Sequence, residues 1–303
     1  MLFALLIPLA VVILVYSVSL VRAVLARGAS PHPEAVTLGA ITNFFDTLGI
    51  GSYAPTMAWF KFRKLVPDAL IPATMLVGHT LPSMAQAVIF LILLGVFVDP
   101  VLLVGCVLAV LMGGLLGAPV VVRLRVWIVQ MIVGLALLVA AIFYSLANLG
   151  LMPLGGTATS LPIGLMLLAI VANFVFGVLL NFGVGNYAPT LAMFSLMGMD
   201  PRLSFPIMAA GAAFAGAGAS LRHIAIGKID FRIALGIVAG GIPAVLVAAF
   251  IVQSMPVEWL RWLVAAVVVC AGAVMLKAAA QERGKLETKL TDGATAVWRP
   301  QDS

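Results

Sequence analysis

The stretch Gly-Ile-Gly-Ser-Tyr-Ala-Pro-Thr at residues 49–56 returns as Gly-Val-Gly-Asn-Tyr-Ala-Pro-Thr at residues 183–190. Aligned without gaps at an offset of 134, residues 49–72 and 183–206 share ten identities in 24 positions. Glycine, proline and tyrosine supply most of these identities, so a general bias towards hydrophobic residues does not explain them. The chain therefore contains two related halves, and the motif marks the same point in each half.

The composition indicates that both halves lie in a membrane. The 303 residues are 63% hydrophobic and 9% charged, with a mean hydropathy of +1.20. Soluble domains carry about 25% charged residues, so this chain cannot cover a water-facing surface. Apolar stretches long enough to cross a hydrocarbon core of ~30 Å recur along the chain, for example at 2–21, 101–122, 126–147 and 233–252.

The basic residues test how the apolar segments cross the bilayer. If nine segments all cross, the best orientation places 10 basic residues inside and 7 outside. If the motif segments at about 35–60 and 165–197 are instead broken hairpins that return to the side they entered, 15 basic residues fall inside. Only Arg202 and Arg261 then fall outside, and the positive-inside rule prefers this arrangement. One observation opposes it, because 161–182 is long enough to span alone.

The expected fold is an all-α polytopic membrane protein with about seven transmembrane helices plus two re-entrant hairpins, or nine helical segments if the hairpins span. Three crossings in each half make the repeats inverted. The predicted organisation is a leading helix at 1–33, repeats at 34–150 and 151–280, and a polar cytoplasmic tail at 281–303. Arg22 and Arg27 follow the first apolar run, which predicts an N-terminus outside and a C-terminus in the cytoplasm.

Each motif has the chemistry of an anion site. Its glycines break a helix, and its proline falls in the first turn of the next helix. The free N–H groups and positive dipole end of that helix attract anions. The alternative is a pair of kinks that allow close packing. The candidate substrate-binding residues are Gly49, Gly51, Ser52, Tyr53, Pro55, Thr56, Gly183, Gly185, Asn186, Tyr187, Pro189 and Thr190.

Three further polar residues are candidates for coupling or gating. Asp46 precedes the first motif, and its counterpart in the second half is Leu180. Acids inside a membrane often mark ion or proton pathways, although Asp46 could instead bind local backbone. His79 and Gln86 are seven residues apart and share a helix face. His79 could bind substrate or relay a proton, or it could be a buried imidazole with satisfied hydrogen bonds.

Signatures of soluble enzymes are missing from the sequence. It contains no His-Glu-x-x-His, Walker loop, paired cysteine ligands or serine elbow. We therefore expect no enzymatic activity, no cofactor and no metal site. Nucleic acid is not an expected partner despite the net charge of +6, because the basic residues lie at segment ends.

The doubled Gly-x-Gly-x-Tyr-Ala-Pro-Thr, with Pro67, Pro72 and their mates Pro201 and Pro206, resembles the sulfite exporter TauE/SafE family, also called the toluenesulfonate uptake permeases. The resemblance extends over about 34–280. It implies a secondary carrier of sulfite, organosulfonates or related organic anions in the bacterial inner membrane. It also implies that the motif residues named above contact the substrate. The run Asp46-Thr47-Leu48 departs from many members.

Three classes of function remain open from the sequence. The first is a secondary anion transporter that works by alternating access between the two motifs, with proton coupling. The second is a channel for water or a small solute through the same broken helices. The third is an intramembrane enzyme or assembly factor. In each case the lipid bilayer is a partner, and the packing glycines are compatible with a homodimer.

Overall fold

The protein is a bundle of α-helices. The structure is a computed structural model and describes residues 3–121, 125–151, 156–180 and 185–297. Within these ranges, the helices longer than one turn are α1 (Phe3–Ala26), α2 (Pro33–Thr47), α3 (Tyr53–Arg63), α4 (Ile71–Leu93), α5 (Pro100–Val121), α6 (Val126–Asn148), α7 (Ile163–Leu180), α8 (Tyr187–Leu196), α9 (Ser204–Ile226), α10 (Phe231–Ser254) and α11 (Val257–Val297).

The first motif forms the tip of a hairpin made by α2 and α3. Glu34, in the first turn of α2, accepts hydrogen bonds from Trp59 Nε1 and Arg63 Nε near the end of α3, both at 2.9 Å. The guanidinium of Arg63 also holds the pKa of Glu34 below its usual value through this hydrogen bond. The chain thus returns to the end from which it started, as predicted for a re-entrant segment.

The second motif lies in a corresponding hairpin made by α7 and α8. Ala158, just before α7, donates its N–H to the carbonyl of Gly198, just after α8, and accepts from the N–H of Asp200. The two ends of this hairpin are therefore adjacent. Helix α7 has 18 residues and is apolar enough to cross a membrane alone, yet the chain that follows it comes back. The hairpin interpretation consequently holds for this segment too.

The two repeats are inverted, as the sequence predicted. Helices α4 and α9 are equivalent in the two halves, and they pack antiparallel. Thr80 bonds Ser220 at one level, and the rings of Phe90 and Phe205 meet at the other. The equivalent pair α6 and α11 is antiparallel as well, since Leu138 packs on Gly272 whereas Asn148 reaches the carbonyl of Arg261.

Each hairpin packs against the opposite repeat. Helix α2 lies along α10, and the equivalent α7 lies along α5. Glycines make both contacts: a Cβ on Gly240 would meet the carbonyl of Val36, and a Cβ on Gly113 would meet the carbonyl of Phe174. Only glycine permits backbones to approach so closely. Because the hairpin of each repeat packs on a helix of the other repeat, the two halves form one unit.

Eight helices of the described chain are long and apolar enough to cross a membrane. One of them is α7, an arm of a hairpin, which leaves the seven crossings that the sequence predicted: α1, α4, α5, α6, α9, α10 and α11. Arg202 and Arg261 lie at the end of the bundle that also holds Ala158 and Met255. Arg27, Arg63 and Arg232 lie at the opposite end, near Phe231 and Glu34.

Candidate functional site

Two glycines with a left-handed backbone open the first motif. Gly49 and Gly51 have φ angles of 98° and 92°, a region that side chains with a Cβ rarely adopt. These angles end α2 and turn the chain into α3. The N-cap of α3 is Ser52, whose N–H donates to Oδ1 of the buried Asp46 at 2.8 Å. The first motif thus carries its own carboxylate at the start of α3.

The first turn of α3 places three predicted residues. Pro55 is the third residue of α3 and is exposed, in accordance with its missing N–H. Thr56 is buried, and its hydroxyl lies 2.8 Å from the carbonyl of Ser52. Tyr53 is 45% exposed, and its ring centroid lies 5.5 Å from that of His79. Thr56 therefore faces α4, whereas Tyr53 lies on the exposed side of the motif.

His79 bridges the two arms of the first hairpin from α4. Its Nδ1 lies 3.0 Å from Oδ1 of Asn43 on α2, and its Nε2 lies 3.0 Å from Oγ1 of Thr56 on α3. The amide of Asn43 donates to the carbonyl of Gly39 at 2.7 Å, which turns its oxygen towards His79. His79 must then donate from Nδ1. Asn43 is not among the candidate residues named from the sequence, so its contact with His79 was missed.

The second motif begins α8, and nearly all of its described residues are buried. Gly183 lies outside the described residues, and Gly185 is exposed. Asn186 makes no side-chain cap bond and instead donates from Nδ2 to the carbonyl of Met208 at 3.1 Å. Pro189 is again the third helical residue, and the hydroxyl of Thr190 donates to Oδ1 of Asn173 at 3.4 Å.

Gln86 joins α4 to the second motif. The hydroxyl of Tyr187, the first residue of α8, donates to Oε1 of Gln86 at 2.6 Å. Gln86 is only 1% exposed, and its Nε2 has no hydrogen-bond partner among the described residues. A buried amide that lacks a partner is uncommon, because it costs about 1–3 kcal/mol. This donor is available for a ligand.

Helix α4 and the hairpin tips bring the two motifs together. His79 on α4 contacts the first motif, and Gln86 on the same helix contacts the second. A Cβ built on Gly49 would lie 3.5 Å from Leu191 of α8, so the first tip reaches the second hairpin. His79 and Gln86 on α4 therefore form one central cluster with the residues that they contact, which are Asn43, Thr56 and Tyr187.

The two hairpins differ in how they are covered. Helices α6 and α11 pack together and both contact α8. For α3, the main packing partners are α2 and α4. Tyr187 is 8% exposed, whereas its counterpart Tyr53 is 45% exposed. The motifs are almost identical in sequence, so this difference comes from the helices that surround them.

An all-helical membrane bundle of inverted repeats, with two broken hairpins meeting inside it, has the architecture of a secondary transporter. Residues 165–299 match the model of the family described as sulfite exporter TauE/SafE, which confirms the resemblance drawn from the motifs. This family is one of membrane transporters for sulfur anions. No curated protein and no solved structure matches the chain.

Proposed function

We propose that this protein is a secondary transporter of small sulfur oxyanions or organosulfonates that works by alternating access. The carrying observation is the central cluster in which two inverted hairpins meet, while α8 packs against both α6 and α11 and the equivalent α3 packs mainly against α2 and α4. Inverted repeats give such a protein two related conformations, in which the two halves exchange their roles. A permanent pore would not need one motif sealed and its twin open.

The chemistry of the cluster favours an oxyanion. Helices α3 and α8 both start at the centre, so the positive ends of their dipoles converge there. No lysine or arginine is buried among the described residues. An anion with several oxygens, such as sulfite or a sulfonate, can use N–H and amide donors without a full ion pair. This mode of binding also permits release, which a carrier requires.

The conformation is proposed to be open towards the cytoplasm. The positive-inside rule places the end with Arg27, Arg63 and Arg232 in the cytoplasm of a bacterial cell and the N-terminus outside. The first hairpin enters from that end, and its helix α3 is more exposed than the equivalent α8. In the opposite state, α6 and α11 would move from α8 to α3. Tyr53 would then be covered and Tyr187 would be exposed.

Proton coupling through His79 follows from its hydrogen bonds. The hydroxyl of Thr56 has one proton, and both Nε2 of His79 and the carbonyl of Ser52 are within reach. Neutral His79 accepts this proton at Nε2. Protonated His79 donates to Thr56, whose proton then turns to Ser52. A proton on His79 thereby changes the hydrogen bonds at the start of α3, where Asp46 accepts the N–H of Ser52 and the ring of Tyr53 lies beside His79.

The test is transport by the purified protein in proteoliposomes. We expect saturable uptake of radiolabelled sulfite or sulfoacetate, and counterflow when unlabelled anion is trapped inside. Tyr187→Phe should reduce uptake at least several-fold, because it removes the hydroxyl that holds Gln86. Tyr16→Phe is a matched control, since Tyr16 is also buried but lies on α1, outside both repeats. Uptake without saturation or counterflow would favour the channel.

A further inference from the structure

The two helix starts at the centre are not equivalent towards an anion. At α3, the carboxylate of Asp46 already accepts the N–H of Ser52. At α8, the residue at the position of Asp46 is Leu180, and the side chain of the N-cap Asn186 is directed to Met208. A protein anion thus occupies the first helix start, and no corresponding carboxylate stands at the second. The dipole of α3 therefore faces a carboxylate of its own hairpin, whereas that of α8 does not.

An independent observation points to the same place. Gln86 is buried, its oxygen is held by Tyr187 at the start of α8, and its Nε2 has no partner among the described residues. The Tyr187 hydroxyl already donates its proton to Oε1 of Gln86, so it can only accept a further hydrogen bond. Of the two side chains, Gln86 is the one that can donate to an anion. Tyr187 acts on the ligand through the orientation of Gln86.

We propose that the transported anion binds at the N-terminus of α8 with one of its oxygens on Nε2 of Gln86, and that Asp46 takes the place of a second anion at α3. This inference rests on the proposed anion transport and narrows it to one of the two motifs. It makes Gln86 a substrate-binding residue and Tyr187 a positioning residue. It also predicts one anion for each chain, despite the two motif copies.

The experiment is equilibrium binding of sulfite to the full-length protein in detergent. Gln86→Glu keeps an acceptor for Tyr187 but replaces the donor with an oxygen, and Gln86→Met removes the donor without adding charge. A hydrogen bond to a charged group is worth about 1.5–3 kcal/mol, so both variants should weaken binding about 10- to 100-fold. The Glu variant should be the weaker, because its carboxylate also repels the anion.

Two controls separate the possible failures. Thr80→Val removes another buried polar group of α4, the partner of Ser220, and should leave the dissociation constant unchanged. Asp46→Asn should lower it, because it removes a neighbouring negative charge. If both Gln86 variants fold by size-exclusion chromatography and bind sulfite as tightly as the wild type, the inference is wrong. If the wild type binds neither sulfite nor an organosulfonate, the proposed function itself fails.

Discussion

The side chain of Asp46 closes the backbone break of the first motif by accepting the N–H of Ser52 at 2.8 Å. The repeat does not impose this bond, because Leu180 stands at the equivalent position of the second half. Asp46 therefore has a structural role at this break and is also a candidate for coupling. The variants Asp46→Ala and Asp46→Asn separate these two roles.

Asp46→Ala should destabilise the protein, whereas Asp46→Asn should not. The alanine leaves the buried N–H of Ser52 without an acceptor, which costs about 1–3 kcal/mol. The asparagine can still accept this bond through its oxygen. Thermal unfolding in detergent should show a lower midpoint for the alanine variant alone. A pH profile of transport that Asp46→Asn leaves unchanged would remove Asp46 from any role in coupling.

His79→Gln should separate transport from its pH dependence. Glutamine can bond to Asn43 and Thr56 but cannot take up a proton, so the switch at Thr56 is lost. Counterflow of anion should continue, since exchange needs no net proton movement. The acceleration of uptake by an inward proton gradient should disappear. If the variant still responds to the gradient as the wild type does, the coupling group lies elsewhere.

Gly240→Ala and Gly113→Ala should be destabilising at equivalent contacts of the two halves. An added methyl group at either position meets a backbone carbonyl of the neighbouring helix, and such overpacking costs about 1–3 kcal/mol. Gly218→Ala is the control, because its Cβ would meet open space. Alanine there should be neutral or stabilising by up to about 1 kcal/mol. Equal unfolding temperatures for all three variants would contradict the glycine-mediated packing.

The hairpins could be predicted from the sequence because their signals are local. Paired glycines followed by a proline mark each break, and basic residues such as Lys61, Arg63 and Lys64 mark the return of the chain. The spacing of Gly236 and Gly240 likewise predicts a packing face on α10, although not that α2 is the helix that packs there. These features depend on residues that are neighbours along the chain, so that one sequence suffices to find them.

The connections made by α4 could not be predicted in the same way. His79 meets Asn43 across 36 residues, and Gln86 meets Tyr187 across 101 residues. Both pairs exist only because α4 runs between the two hairpins. The unequal burial of the two motifs could not be predicted from the sequence either, since their sequences are almost identical. It depends on the helices that surround each motif, which no local pattern encodes.

Alternating access is tested most directly at Ala58 and Ala192, which are equivalent residues of α3 and α8. Ala58 is exposed and Ala192 is buried. Cysteine is placed at each position in a chain with Cys106→Ala and Cys270→Ala. A membrane-impermeant maleimide is then applied to inside-out and to right-side-out vesicles, with and without saturating sulfite.

We predict rapid labelling at position 58 from the cytoplasmic face, protection at position 192, and a change in both rates when sulfite makes the protein cycle. Position 192 should become reactive from the opposite face as position 58 becomes protected. Labelling rates that are equal at the two positions and indifferent to the anion would contradict the account.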